Sequence, residues 1–153
     1  MRDKRFVALH RGGNLSVEHH RLLIHWAICC AEHVLKLCDN SYIGRLRHVL
    51  SVAKEWEKGM TTTGMARKAS LEAISIANES TDTVSVAVAR SVGHAVATAH
   101  MADHSFFALE YALKAFKLAG LSVENERNRM NDFLPNEISE LVLTAQQNKF
   151  HCS

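Results

Sequence analysis

A chain of 153 residues with a single proline, Pro135, has few points at which a regular backbone must break. Its seven glycines add only a few further break points. Proline and glycine are the residues that interrupt helices most strongly. Hydrophobic residues make up 47% of the chain and charged residues 22%, values that are typical of globular proteins. The length suits one domain with a sizeable core. The sequence therefore predicts a single, mainly helical domain over residues 1–153.

Apolar residues recur three and four positions apart along most of the chain, which is the spacing of one buried helix face. This pattern predicts helices over about 16–37, 42–58, 61–78 and 122–133, and from Pro135 onward. Ser16 is expected to cap the first helix, and Gly59 and Gly120 to follow helix ends. Residues 83–119 are predicted to form one long helix, or two joined near Thr98–His100. Small residues four apart predict close packing there: Ser85, Ala89, Gly93 and Ala97. The predicted fold is all-α, a compact bundle of about six or seven helices.

Residues 1–15 are predicted to form an N-terminal arm before the first helix. Four basic residues lie in it: Arg2, Lys4, Arg5 and Arg11. Such arms are usually solvated tails, and the glycine pair Gly12–Gly13 indicates a turn at the end of this one. Arg11 and the two glycines could hold an anion through the guanidinium and backbone N–H groups. Simple turn formation is the more common role of such a pair.

Charge, hydropathy and cysteine usage limit the classes of partner. The net charge is +2, and no basic stripe indicates a nucleic-acid partner. No apolar stretch approaches the roughly 20 residues that a membrane span requires. Four cysteines without a C-x-x-C motif predict reduced thiols and a cytoplasmic protein: Cys29, Cys30, Cys38 and Cys152. A nucleophilic pair of Cys29 with His25 or His33 is not favoured, because Cys29 lies within an apolar helix.

The segment Gly93–His104, GHAVATAHMADH, combines small residues with three histidines and an aspartate. If it is helical, His100, Asp103 and His104 share one face. Two histidines four residues apart can hold one metal ion, with the acid as a ligand or base, and H-x-x-D-H is close to the zinc-peptidase form H-x-x-E-H. Another interpretation is that these side chains make buried hydrogen bonds between closely packed helices. A third is that they form a recognition patch on the surface. The motifs G-x-S-x-G, G-x-G-x-x-G and the P-loop do not occur.

The first predicted helix carries several of the ten histidines of the chain. His19 and His33 lie on or beside its apolar stripe, so they are predicted to pack in the core or at an interface. His20 and Arg21 are predicted to be exposed and available for binding. So many histidines also predict pH-sensitive behaviour near pH 6–7.

The chain resembles a family of all-helical bacterial proteins, the immunity proteins of polymorphic toxin systems. Three stretches carry the resemblance: Arg5–Gly13 (RFVALHRGG), His20–Leu35, and Gly93–His104 with the following Tyr111–Ala115. Leu134–Leu143 adds a weaker likeness, so that the similarity spans nearly the whole chain. The chain departs from the family at Ser105-Phe106-Phe107, where family members are rich in alanine, and bulkier residues there could change the choice of partner.

The resemblance implies a non-enzymatic protein that binds and neutralises a cognate toxin in the cytoplasm, without a cofactor. It implies a protein interface of about 800 Å² per partner, centred on aromatic or arginine anchors. The candidate anchors are Tyr42, Arg45, Trp56, Phe106 and Phe107. The near-neutral charge disfavours a nuclease toxin, since an acidic inhibitor would match a basic nuclease cleft best. A homo-oligomeric helical scaffold is a further possibility.

The candidate binding residues lie in the stretches that carry the resemblance: His10, Arg11, His20, Arg21, His94, His100, Asp103 and His104. The family supplies no catalytic residue. The alternative hypothesis is a metal-dependent enzyme or metal-binding protein that uses the face of His100, Asp103 and His104, with a third ligand from His19, His20 or His94.

Overall fold

The computed structural model describes residues 3–151, with side chains over residues 3–147. Seven α-helices and no strand occur in this part of the chain. They are α1 (Val17–Val34), α2 (Asn40–Glu57), α3 (Thr63–Glu79), α4 (Thr83–Ala97), α5 (His104–Leu118), α6 (Val123–Asp132) and α7 (Asn136–His151). The predicted all-α fold in a single domain is confirmed. Short 3₁₀ turns occupy Lys4–Phe6, Leu9–Arg11 and Leu35–Leu37, the last of them at the predicted end of the first helix.

Local signals in the sequence set most helix ends. The Ser16 hydroxyl accepts a hydrogen bond from the His19 backbone N–H at 3.1 Å, as predicted. Side chains at the starts of four further helices act in the same way: Asp39, Thr62, Asp82 and Ser122. Gly59 and Gly120 have φ angles of 74° and 81°, which only glycine adopts readily, and they follow α2 and α5.

Helix α4 is the centre of the bundle, because α1, α2, α3 and α5 all pack against it. Its small residues permit this arrangement. A Cβ atom added to Gly93 would lie 3.3 Å from the Cβ of Ala73 on α3, so the two helices are in close contact at this point. Ser85, Ala89 and Gly93 are buried. The close packing predicted from the small-residue stripe is confirmed.

Residues 83–119 form two helices, which resolves the alternatives left by the sequence. Helix α4 ends at Ala97 and α5 begins at His104. At the break, the Thr98 hydroxyl donates a hydrogen bond to the His94 carbonyl at 3.0 Å, and the backbone bonds tighten to partners three residues back. His100 and Asp103 therefore lie in the connection between two helices. They do not lie on a helix face.

The N-terminal arm packs against the bundle, at least from residue 3 onward. Phe6 is 3% exposed and meets the Phe106 ring edge-on, with 4.8 Å between the ring centroids. A bridge between Ala8 and Leu15 closes the arm into a loop. Gly13 allows this closure, since a Cβ there would lie 2.0 Å from the carbonyl oxygen of Val7. The expectation of a solvated tail is wrong because the arm has apolar residues of its own to bury.

Cys29, Cys30 and Cys38 are free thiols, and Cys152 lies outside the described residues. Burial raises the pKa of all three thiols, that of Cys30 most strongly. Within the described part of the chain, none of the helices combines the length and the apolar character needed to cross a membrane.

Candidate functional site

A cavity of about 490 Å³ opens where the N-terminal arm faces the bundle. We call it the arm cleft. The arm forms one side, and the start of α1, the end of α2 and the α4–α5 connection form the others. Its polar and aromatic lining residues are Phe6, His10, Arg11, His20, Trp56, Thr63 and His100. Four of the eight predicted binding residues therefore meet in one place, although they come from three distant stretches of the chain.

His20 forms the buried floor of the arm cleft. Its Nε2 atom lies 2.6 Å from the backbone oxygen of Thr98, and its ring centroid lies 4.8 Å from that of Trp56. Because a carbonyl oxygen only accepts, Nε2 carries the hydrogen in this bond. Burial lowers the pKa of His20, although the hydrogen bond to Thr98 acts in the opposite direction, and the nearby His10 and Arg11 lower the pKa further. The prediction of an exposed His20 is wrong, since this side of α1 faces the end of α4, whereas His19 is exposed.

His10 and Arg11 are exposed at the lip of the arm cleft. The backbone N–H groups of Gly12 and Gly13 donate to the carbonyl oxygens of Leu9 and Ala8, at 3.1 Å each. These N–H groups close the loop and are not directed at a ligand. The glycine pair therefore forms a turn, as such pairs commonly do. The N–H groups of this glycine pair are therefore not available to an anion.

Arg21 and Asp103 do not line the arm cleft. Arg21 is exposed, as predicted, and its guanidinium lies over Gly59 after the end of α2. Asp103 is half-buried and directly precedes α5. The structure therefore brings some of the predicted residues together and leaves these two aside.

A second cavity, of about 360 Å³, lies between α3, α4 and the start of α5. We call it the α3–α4 cavity. Its polar lining consists of Arg67, Ser70, Arg90, His94, His100 and His104. Ile74, Ala89, Gly93 and Ala97 form its apolar wall. His100 lines both cavities, so this residue lies between them. Sequence reasoning missed Arg67 and Arg90, because an arginine on an exposed helix face gives no signal until the tertiary structure places it.

His94 and His104 form a pair at the side of the α3–α4 cavity. Their Nδ1 atoms lie 2.8 Å apart, and their rings stack with 5.0 Å between the centroids. The ring of Tyr111 is nearly parallel to that of His94 at 5.3 Å, and Phe107 contacts both histidines. All three histidines of the segment, His100 included, are half-buried.

The metal hypothesis requires one helical face shared by His100, Asp103 and His104. That face does not exist, because the helix breaks between Ala97 and His104. Among the described residues, no group of three or more His, Cys, Asp or Glu side chains is arranged to hold a metal ion. The observed contact between His94 and His104 agrees with the interpretation in which these histidines make hydrogen bonds between packed helices.

Two further histidine contacts join distant parts of the chain. His33 Nε2 lies 2.6 Å from Glu126 Oε2, and this partly buried pair links α1 to α6. His25 Nδ1 lies 2.7 Å from Glu57 Oε1, and the sulfur of Cys29 lies 3.8 Å from His25 Nε2. A Cys–His contact thus forms, although the sequence did not favour it. Burial raises the pKa of Cys29, which keeps the thiol protonated and a poor nucleophile.

The predicted interface anchors differ in availability. Phe106 is buried against the arm, so it cannot anchor a partner. Arg45 pairs with Glu72 at 2.6 Å and also with Glu79, both on α3. Tyr42, Trp56 and Phe107 are half-buried. Trp56 lines the arm cleft, and its indole N–H donates to the Thr63 hydroxyl at 3.1 Å.

Fold and site together define an all-helical, single-domain protein in which five histidines and three arginines line two neighbouring cavities. The family model described as "Imm-5 like putative immunity protein" matches residues 13–137, and the chain belongs to this family. The match runs from the end of the arm to the first turn of α7, so most of the Arg5–Gly13 stretch lies outside it. No curated protein and no solved structure shows a significant match to the chain.

Proposed function

We propose that this chain is a bacterial, cytoplasmic immunity protein that binds a cognate toxin and blocks it without catalysis. Family membership supports the protein-binding role. The observation that carries the proposal is the composition of the arm cleft. His10 and Arg11, His20, and His100 come from the three stretches through which the chain resembles immunity proteins, and they meet there. We infer that the arm cleft and its rim are the toxin-binding surface.

The rim of the arm cleft has the character of a protein interface. Leu9 and Val17 line the cleft and are 61% and 60% exposed. Met60, which is 72% exposed, lies in the turn between Trp56 and Thr63. Exposed apolar side chains around a concave polar centre are typical of surfaces that bind proteins.

The charge of the arm cleft indicates what the toxin presents. Its titratable lining groups are His10, Arg11, His20 and His100, and none of the described residues lining it is acidic. A partner segment with a carboxylate would complement this charge, and its apolar neighbours would pack on Leu9 and Val17. We therefore propose that an acidic segment of the toxin enters the arm cleft.

A rescue assay tests the immunity function. The reading frame immediately upstream is expressed in a bacterial host, first alone and then together with this chain. We expect growth arrest in the first case and restored growth in the second. A harmless upstream product, or a toxic one against which this chain gives no protection, would overturn the proposal.

Charge-reversing and apolar-to-acidic variants test the surface. Arg11→Glu and Leu9→Asp place a negative charge at the lip of the arm cleft, so we expect each to abolish rescue and to weaken toxin binding at least about tenfold. Leu71→Asp is the matched control, since Leu71 is 63% exposed but lies about 12 Å further along α3 than Thr63. If Leu71→Asp abolishes rescue while both arm variants protect, the toxin binds elsewhere.

A further inference from the structure

We propose that the α3–α4 cavity binds a small organic anion, a phosphate or carboxylate group carried on an apolar body. This inference goes beyond the proposed function, because the ligand is a small molecule and the cavity is separate from the arm cleft. It depends on three features of the cavity: the sign of its charge, its apolar wall and its size.

The charge of the cavity has a single sign. Arg67 on α3 and Arg90 on α4 line it together with His94, His100 and His104. None of the described residues lining it is acidic. Guanidinium groups stay charged at every physiological pH, and their paired N–H donors match the oxygens of phosphate and carboxylate. A cleft lined by one sign of charge concentrates ions of the opposite sign.

A cavity elsewhere on the surface shows that this lining is not a general property of the protein. That cavity, of about 470 Å³ between α1 and α2, also contains basic residues, among them Lys54 and Arg47. Glu32 lines it as well, and its carboxylate lies 3.0 Å from the Lys54 ammonium. Glu32 therefore compensates part of the positive charge of Lys36, Arg47 and Lys54 within that cavity, whereas no described lining residue of the α3–α4 cavity supplies a carboxylate.

The apolar lining residues of the cavity suit an apolar group. Ala89, Gly93 and Ala97 present little side chain to the cavity, and Ile74 adds an aliphatic surface. The volume of about 360 Å³ is at the lower end of the range for small-molecule sites. An aromatic ring with one anionic group fits the volume, the basic lining residues and the apolar lining residues.

Calorimetric titration of the full chain with four probes tests the proposal. The probes are phenyl phosphate, benzoate, inorganic phosphate and phenol. We expect phenyl phosphate or benzoate to bind at least about tenfold more tightly than inorganic phosphate or phenol. Inorganic phosphate lacks the apolar body, and phenol lacks the anionic group. The stronger of the two aromatic anions identifies the head group. Absence of binding by both, or binding of inorganic phosphate as tight as that of phenyl phosphate, would overturn the proposal.

Arginine variants locate the site. Arg67→Gln and Arg90→Gln each remove one charge from the cavity, and we expect each to weaken binding of the preferred probe about tenfold. Arg47→Gln makes the same chemical change in the cavity with mixed charge, so it is expected to leave the affinity unchanged. Equal weakening by all three would show a diffuse charge effect and would contradict the site. All three variants are expected to retain toxin rescue, which separates this proposal from the proposed function.

Discussion

His94 and His104 join α4 to α5 through a hydrogen bond between two identical groups, with 2.8 Å between their Nδ1 atoms. One imidazole donates and the other accepts, so the bond requires a single hydrogen between the two atoms. The two residues lie ten positions apart and on opposite sides of the helix break. The contact therefore fixes the direction in which α5 leaves the end of α4, and with it the shape of the α3–α4 cavity.

Replacing His104 tests the contribution of this bond. We expect His104→Leu to lower the free energy of unfolding by about 1 kcal/mol, because the Nδ1 atom of His94 loses this partner. His104→Asn should lower the free energy of unfolding less, since the asparagine amide can take the place of Nδ1 as the partner of His94. Urea unfolding followed by circular dichroism measures both variants. Equal stability of the two would show that the bond contributes nothing.

Most of the fold could be predicted from the sequence, because its signals are local. Ser16 and Gly59 mark helix ends through their own backbone and side-chain chemistry, and the structure confirms both. The break at residues 98–103 could not be placed with certainty. It contains neither proline nor glycine, and the Thr98 hydroxyl bond that accompanies it is also found within continuous helices.

The site was less predictable, because it depends on contacts between distant residues. His20 and Thr98 lie 78 positions apart, and nothing near His20 indicates its partner. His19 and His20 point about 100° apart on the helix. A small error in the predicted direction of the buried face therefore exchanges which of the two is buried and which is exposed. The resemblance marked the segments that meet at the arm cleft, but only the tertiary structure shows that they meet.

A substitution at Gly13 tests the packing of the arm. A Cβ at this position would lie 2.0 Å from the Val7 carbonyl oxygen, so we expect Gly13→Ala to destabilise the protein by about 2 kcal/mol or more. Gly44→Ala is the matched control. Apart from its chain neighbours and the backbone of its own helix, no atom lies within 4 Å of a Cβ there, and the change within α2 should stabilise by about 0.5–1 kcal/mol. Thermal unfolding distinguishes the two, and an unaffected Gly13→Ala variant would mean that the arm does not close as described.

The contribution of His20 to the stability of the protein should fall as the pH is lowered through the ordinary pKa of histidine. Burial lowers the pKa of folded His20 below its ordinary value of 6.5. Above that pH both states hold a neutral ring. Below it the unfolded chain takes up a proton that the folded chain excludes, so stability is lost until the pH reaches the folded pKa.

His20→Gln isolates this contribution. The glutamine amide can still donate to the Thr98 oxygen but does not titrate. We expect the difference in unfolding free energy between pH 7.5 and pH 5.5 to be smaller in the variant, with a His20 slope of at most about 1.4 kcal/mol per pH unit. Urea unfolding at several pH values measures it. The same pH dependence in both proteins would show that His20 is not a source of the effect.

The two tryptophans of the chain differ in burial and in hydrogen-bond partner. Trp26 is fully buried, and its indole N–H donates to the Met130 backbone oxygen at 2.8 Å, which ties α1 to the last residues of α6. Trp56 is half-buried, and its partner is the Thr63 hydroxyl. Trp26→Phe removes a buried hydrogen bond and leaves a cavity, so we expect a loss of about 2 kcal/mol. Trp56→Phe should cost less than about 1 kcal/mol, since water can reach the hydroxyl.

Each of these variants also leaves one tryptophan, whose fluorescence supplies an independent readout. Trp26 alone, in Trp56→Phe, should emit at shorter wavelength and resist quenching by iodide, because it has no contact with solvent. Trp56 alone, in Trp26→Phe, should be quenched readily, and it should change its emission when a toxin fills the arm cleft. If iodide quenches the two equally, Trp26 is not enclosed by α1 and α6, and the packing described for these helices is wrong.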